Sequence, residues 1–282
     1  MPRCLRAHNN KISAIPLHGG VGIRKLGAQT NSVVFVCAVK CLEMEIKLNA
    51  LMIRAVDYGE NDKILTLLSA EEGKISAGIK GVKKPNAKLK FAAQPFCFAE
   101  YILVKRGDKY TVINCSECES FYDLRTDINK FYAASAVCEA ANALSFEGSE
   151  CTELFTEAVN TLAAMCTGGE STALINFLVR ALRLSGYGIS ADRCAECGKS
   201  LTGQDKLRFD METGSFTCAE CGNGAGASRV TYNLLRKLDG KSFEEDFITP
   251  DGEKRALRLL REYYAYKLNY SFNSLSEYIR LI

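Results

Sequence analysis

Cys194-Ala195-Glu196-Cys197-Gly198 and Cys218-Ala219-Glu220-Cys221-Gly222 repeat the same five residue types in the same order, and this repeat constrains the chain more than any other feature. Two Cys-x-x-Cys pairs about 20 residues apart have the spacing of a tetrahedral structural zinc site. Each pair forms a tight knuckle, and the glycine after its second cysteine supplies a positive-φ turn that aims backbone N–H groups at the thiolates. Between the knuckles, Leu207, Phe209 and Met211 alternate, Thr213-Gly214 can turn, and Phe216 begins a return strand that delivers Cys218 beside Cys197. All four ligands, Cys194, Cys197, Cys218 and Cys221, are thiolates, so one structural Zn2+ is expected with no position open for a reacting water. A redox-active dithiol is the competing reading, but redox cysteines rarely come as two matched knuckles.

The chain carries 13 cysteines in 282 residues, an odd number spread over its whole length, which suits a reducing cytoplasm rather than a secreted disulfide scaffold. No apolar run approaches a membrane span, so no membrane partner is expected. Residues 1–43 hold both histidines, His8 and His18, and six basic residues against the single acid Glu43. They read as a leader, with the natural start of translation at Met44, where a strand-like pattern begins. Beyond Met44 there is no histidine, which excludes Ser-His-Asp triads and histidine-ligated metals from the body. Acidic residues there slightly outnumber basic ones, so any basic surface must be local.

Residues 44–118 read as β, with short runs at Ile53 to Val56, Ile64 to Leu68, Ile75 to Ile79, Phe96 to Val104 and Tyr110 to Asn114. Five short strands in so few residues suit a small closed barrel of the OB type, with an SH3-like barrel as the nearest alternative. Within it, Lys80, Lys83, Lys84, Lys88 and Lys90 share a Gly/Pro/Asn-containing loop with no acid, and Lys105 and Arg106 form a second patch. These seven residues are the candidate nucleic-acid contacts, through phosphate neutralisation. Phe91, Phe96, Phe98, Tyr101 and Tyr110 are either base-stacking platforms or barrel core.

Past Glu117 the period becomes helical. Leu124, Ile128, Phe131, Ser135, Cys138, Asn142 and Ser145 lie on one face of a first helix, with Val137, Ala141 and Leu144 widening its apolar part. Helices follow at Thr152 to Cys166, Ser171 to Leu184, Tyr232 to Leu238, Gly252 to Asn269 and Ser274 to Leu281. The expected architecture is therefore α+β: an OB-type barrel at 44–118, then an all-helical domain at 119–282 with a zinc module inserted at 191–227.

Two further motifs carry possible chemistry. Cys115-Ser116-Glu117-Cys118 has metal-pair spacing but lies in a strand, where residues i and i+3 face opposite sides. Lys237-Leu238-Asp239-Gly240 matches the Lys-x-Asp-Gly core of nucleotidyl transferases, in which the lysine is adenylylated; here it follows barrel and zinc, whereas in ligases it precedes both. No phosphate-binding glycine loop or paired catalytic carboxylate is present.

Arg54-Ala55-Val56-Asp57-Tyr58-Gly59-Glu60-Asn61-Asp62-Lys63-Ile64-Leu65-Thr66, then Gly81-Val82-Lys83-Lys84, Phe121-Tyr122-Asp123-Leu124-Arg125, and Gly186-Tyr187-Gly188 before the first knuckle, together resemble the bacterial RecO recombination-mediator family. The resemblance implies a cytoplasmic, nucleoid-associated, non-enzymatic protein. It would bind single- and double-stranded DNA, anneal complementary strands, engage single-strand-binding protein, and with RecR help load RecA. The family's C-terminal helix is often richer in Lys and Arg than the nearly neutral Lys267 to Asn273 stretch here. The alternatives are an adenylylating enzyme using Lys237 and a scaffold whose barrel binds only protein.

Overall fold

The computed structural model describes residues 44–222, 224–237 and 249–282. The leader reading at 1–43 falls outside the described residues, as do residues 238–240 of the Lys237-Leu238-Asp239-Gly240 motif and the side chain of Lys237. Five strands, β1 (Met44–Tyr58), β2 (Asp62–Ser69), β3 (Gly73–Ile79), β4 (Phe98–Arg106) and β5 (Lys109–Glu119), close into a barrel in the order β1-β2-β3-β5-β4. All pairings are antiparallel except β3 with β5.

The first strand is much longer than Ile53 to Val56, because it serves two partners. Its first half, from Met44, pairs with β4, and its second half pairs with β2 up to Tyr58 opposite Asp62. An irregularity between Met52 and Arg54 lets the strand bend from one wall of the barrel to the other, the usual task of a bulge. Alternation fills the interior with Leu65, Leu67, Ile75, Ala77, Tyr101 and Leu103, all buried. The connection from β3 to β4 packs into the same core through Val82, Ala92, Ala93 and Cys97. Tyr101 Oη donates to the Ala92 carbonyl at 2.9 Å, tying the short 3-10 helix Lys90–Ala93 to the barrel interior.

The helices are α1 (Asp123–Thr126), α2 (Ile128–Leu144), α3 (Thr152–Thr167), α4 (Glu170–Leu184), α5 (Arg229–Lys237), α6 (Pro250–Leu268) and α7 (Asn273–Leu281). The expected first helix is interrupted: Asp127 is extended, and its Oδ1 caps α2 by accepting from the N–H groups of Asn129 at 2.8 Å and Lys130 at 3.0 Å. Its expected single apolar face is also wrong, since Ile128 is 60% exposed. Ala133, Ala134, Ala136, Ala140 and Ala141 are instead fully buried over a broad arc of nearly half the circumference, because α2 is the central helix with α3, α4 and α7 against it. Small side chains along this arc let neighbouring helices approach, whereas a surface helix would show a narrower stripe of larger apolar residues. Glu139 of α2 receives the backbone N–H groups of Asn273 at 3.0 Å and Ser274 at 2.9 Å, holding the start of α7.

Between α4 and α5 lies a small sheet, β6 (Lys206–Asp210), β7 (Ser215–Cys218) and β8 (Ala225–Ser228), in the order β7-β6-β8. The hairpin β6–β7 is the expected one; β8 is an addition, since Ala225-Gly226-Ala227-Ser228 has no strand-like composition and gains its form by pairing with β6. Phe209 and Phe216 are fully buried, the first edge-to-face with Tyr263 of α6 at 5.2 Å and the second with Tyr232 of α5 at 5.2 Å. The cysteine module therefore shares one core with the helices.

The barrel is fixed to the helices by backbone contacts at the β2–β3 turn. Lys74 N–H donates to the Phe146 carbonyl at 3.1 Å, Gly148 N–H to Glu72 at 3.1 Å, and Cys151 N–H to Ala70 at 2.9 Å. Gly73, at φ +63°, lies so close to the 146–149 segment that an added Cβ would run into the Ser149 carbonyl oxygen and come within 2.5 Å of that of Phe146.

Candidate metal centre and nucleic-acid interface

The hairpin returns Cys218 to the first knuckle, and the sulfurs of Cys194, Cys197, Cys218 and Cys221 all lie within 4.8 Å of one another. Such a group could hold one metal ion. Cys218 Sγ is 3.8 Å from Cys194 Sγ and 3.9 Å from Cys197 Sγ. A tetrahedron with zinc–thiolate bonds of about 2.3 Å has edges of roughly 3.8 Å, which these two separations match. Cys194 and Cys218 are buried, while Cys197 and Cys221 lie on the exposed side of the group. Burial raises the Cys194 thiol, but the backbone N–H groups of Cys197, Cys218 and Glu196 outweigh it and bring it down to about 6. Hydrogen bonding to the Cys218 and Cys197 sulfurs pushes the Cys221 thiol up to about 12. Four sulfurs this close need a cation if all are to be ionised.

The knuckle glycines differ. Gly198 has the expected φ of +70°, and its N–H donates to the Cys194 carbonyl at 2.9 Å. Gly222 is not among the positive-φ glycines; it is required because a Cβ there would collide with the Thr217 side chain. Cys115-Ser116-Glu117-Cys118 lies in β5 as expected, with Cys115 buried and Cys118 exposed.

Lys80, Lys83, Lys84, Lys88 and Lys90 are all exposed on the β3–β4 connection. Lys83 is engaged: its Nζ lies 2.8 Å from Asp57 Oδ2, and Lys63 Nζ approaches Asp57 Oδ1 at 3.4 Å. The Lys83 hydrogen bond, followed by that of Lys63, holds the Asp57 carboxyl below its usual range. No local signal marks this bridge, because only the pairing of β1 with β2 and of β2 with β3 brings Asp57 and Lys83 together. Among the described residues, no ion pair engages the other four lysines of the connection. The loop is not simply solvated: Lys83 N–H donates to the Asn61 carbonyl at 3.0 Å, and Gly81 N–H to Asp62 Oδ1 at 2.7 Å. Lys105 sits over the Tyr110 ring at 5.1 Å, and its hydrogen bond with the Tyr110 side chain raises its pKa. Arg106 is exposed at the end of β4.

The five candidate aromatics divide. Tyr101 and Phe96 are buried, the latter against Phe131 with ring centroids 5.6 Å apart, and Phe98 meets Phe155 at 6.0 Å. These three belong to the cores. Phe91 and Tyr110 are half-buried against the barrel core.

A closed five-stranded barrel bearing a lysine-rich connection, packed in one compact unit with helices and a four-cysteine group that could hold a metal ion, defines a mixed α+β protein with a candidate metal centre. Two family models match: "Recombination protein O N terminal" over residues 44–121 and "Recombination protein O C terminal" over residues 125–276. The chain belongs to the recombination protein O family. It is 36% identical over 197 residues to "DNA repair protein RecO" of Desulfitobacterium hafniense, covering 67% of this chain and 72% of that one. The protein of the same description from Acetivibrio thermocellus is 30% identical, with 69% and 78% covered, and that from Clostridium perfringens is 30% identical, with 71% and 82% covered. Among the described residues, no helix is long and apolar enough to cross a membrane.

Proposed function

We propose that this chain is a cytoplasmic, non-enzymatic DNA-repair mediator whose OB-type barrel, at 44–118, binds single- and double-stranded DNA through the β3–β4 connection and anneals complementary strands. The helical domain at 119–282 holds one structural zinc ion in the module at 191–227, with Cys194, Cys197, Cys218 and Cys221 as ligands. RecR, single-strand-binding protein and, through them, RecA are the partners that family membership suggests. The observation that carries the DNA reading is the division of labour along the connection. Val82, Ala92 and Ala93 anchor it in the barrel core, while Lys80, Lys84, Lys88 and Lys90 stand exposed. A cationic strip on a fixed backbone neutralises phosphates without reading bases, as a protein acting on any sequence requires.

The test is a binding titration against unrelated single-stranded oligonucleotides at several salt concentrations. Replacing Lys84 and Lys88 by alanine should weaken all of them alike and lower the magnitude of the salt slope by roughly 1.4, since each phosphate neutralised on a single strand accounts for about 0.7. The melting temperature should hardly move, since both side chains are exposed. Asp57→Asn should act oppositely, tightening binding and steepening the slope, because Lys83 and Lys63 are released to phosphate. Parental affinity and slope in the Lys84/Lys88 double variant would move the interface off this connection, with Lys105 and Arg106 next to be replaced.

A further inference from the structure

The barrel's outer wall beside the lysine connection presents a row that the sequence alone does not assemble. Tyr58 pairs with Asp62 across β1 and β2; the β2–β3 register that places Lys63 opposite Ile79 brings Lys80 alongside Asp62. The next row runs from Val56 to Ile64 to Gly78 and on to Thr111 of β5. Residues directly opposite one another share a face, and Leu65, Ala77, Ile79 and Val112 fill the interior, so these two rows face outward. On this wall Tyr58 is 63% exposed and Val56 45% exposed. An aromatic ring and an aliphatic side chain thus lie in water beside a lysine cluster.

We propose that this wall, centred on Tyr58, is a base-stacking platform for single-stranded nucleic acid; the inference rests on the DNA-binding reading of the barrel and extends it from phosphates to bases. Three observations favour this occupant. Lysines outnumber acids on and beside the wall. Asp57 is held between Lys63 and Lys83, and Asp62, which accepts the Gly81 N–H but keeps its charge, and Glu60 at the turn stand against Lys80, Lys84, Lys88 and Lys90 of the adjoining connection. Gly78, in the middle of the second row, would accept a Cβ with its nearest neighbour 3.8 Å away. Packing therefore does not demand a glycine there, and its missing side chain leaves the wall low where a flat ring can approach. Lastly, the platform adjoins the phosphate strip: Lys80 follows the last residue of β3 and opens the connection that carries Lys84, Lys88 and Lys90. A strand laid along those lysines has its bases beside Tyr58. Stacking needs an unpaired π-face, so duplex DNA gains nothing from it.

The chain contains no tryptophan, so Tyr58→Trp introduces a single reporter at the platform. Oligo-dT should quench that emission as it binds. Tyr58→Ala in the full chain should weaken single-strand binding by roughly five- to a hundred-fold, the range for one stacked base. The salt slope should stay unchanged, because every lysine that meets a phosphate is retained, and duplex affinity should be unaltered. Tyr58→Phe, which keeps the ring, should bind like the parent. If Tyr58→Ala binds single strands like the parent, or if Tyr58→Trp forms the complex by anisotropy with no change in emission, the platform is wrong and the wall is left to a protein partner, while the lysine reading stands. If the parent itself binds no single strands, both readings fall together.

Discussion

Cys197→Ser is expected to cost the chain its metal and much of the stability of its helical part at once. The parent should carry about one zinc per chain, because four cysteine sulfurs within 4.8 Å of one another would bind this ion as part of folding, with apparent free energies of ~10–16 kcal/mol in small zinc modules. Losing one ligand of four forfeits several kcal/mol of that. The loss should spread, since Phe209 and Phe216 of the module are packed edge-to-face with Tyr263 and Tyr232 of α6 and α5. For a chain of this size each kcal/mol shifts the melting point by about 2–4 °C, so a fall of roughly 10 °C or more is expected. Metal content by mass spectrometry and a melting curve, with and without a chelator, check both halves. A zinc-free preparation as stable as the loaded one would defeat the structural role.

The second large effect is expected at Gly73→Ala, a position that neither carries charge nor ligates metal. Its φ of +63° is a left-handed conformation that costs an L-residue about 1–2 kcal/mol. The added Cβ also meets the backbone carbonyl oxygens of Ser149 and Phe146, which no rotamer can move aside. Relief requires the 146–149 segment to retreat from the β2–β3 turn, giving up the Lys74–Phe146 and Gly148–Glu72 hydrogen bonds. With overpacking of ~1–3 kcal/mol added, a total of about 2–5 kcal/mol is expected, read as a shifted denaturation midpoint. By contrast Gly59→Ala, with a similar φ of +63° but nothing within 4 Å, should cost only the conformational part. Equal losses in the two variants would show that the junction does not depend on this close approach.

What the sequence by itself determined was whatever rests on near neighbours. Matched knuckles at fixed spacing imply a four-sulfur group, alternation implies strands, the helical period implies helices, and an acid-free run of lysines with Gly, Pro and Asn implies a basic loop. These survive because the physics that reads them, side-chain period and turn chemistry, operates within a few residues. The tertiary structure decided the rest. Only barrel closure makes β1 one bent strand with two partners, and only the β1–β2–β3 pairing sets Lys83 on Asp57, 26 residues away. The central position of α2 turned an expected apolar stripe into a broad buried arc of small residues, and left Ile128 in water. Ala225–Ser228 became a strand because β6 offered an open edge. Tyr58 lies beyond the Ile53 to Val56 run expected as strand, and only the register sets it on an outer wall with Val56, Ile64 and Lys80. A one-residue slip of that register would have turned the same side chains inward, and nothing local to Tyr58 fixes the choice.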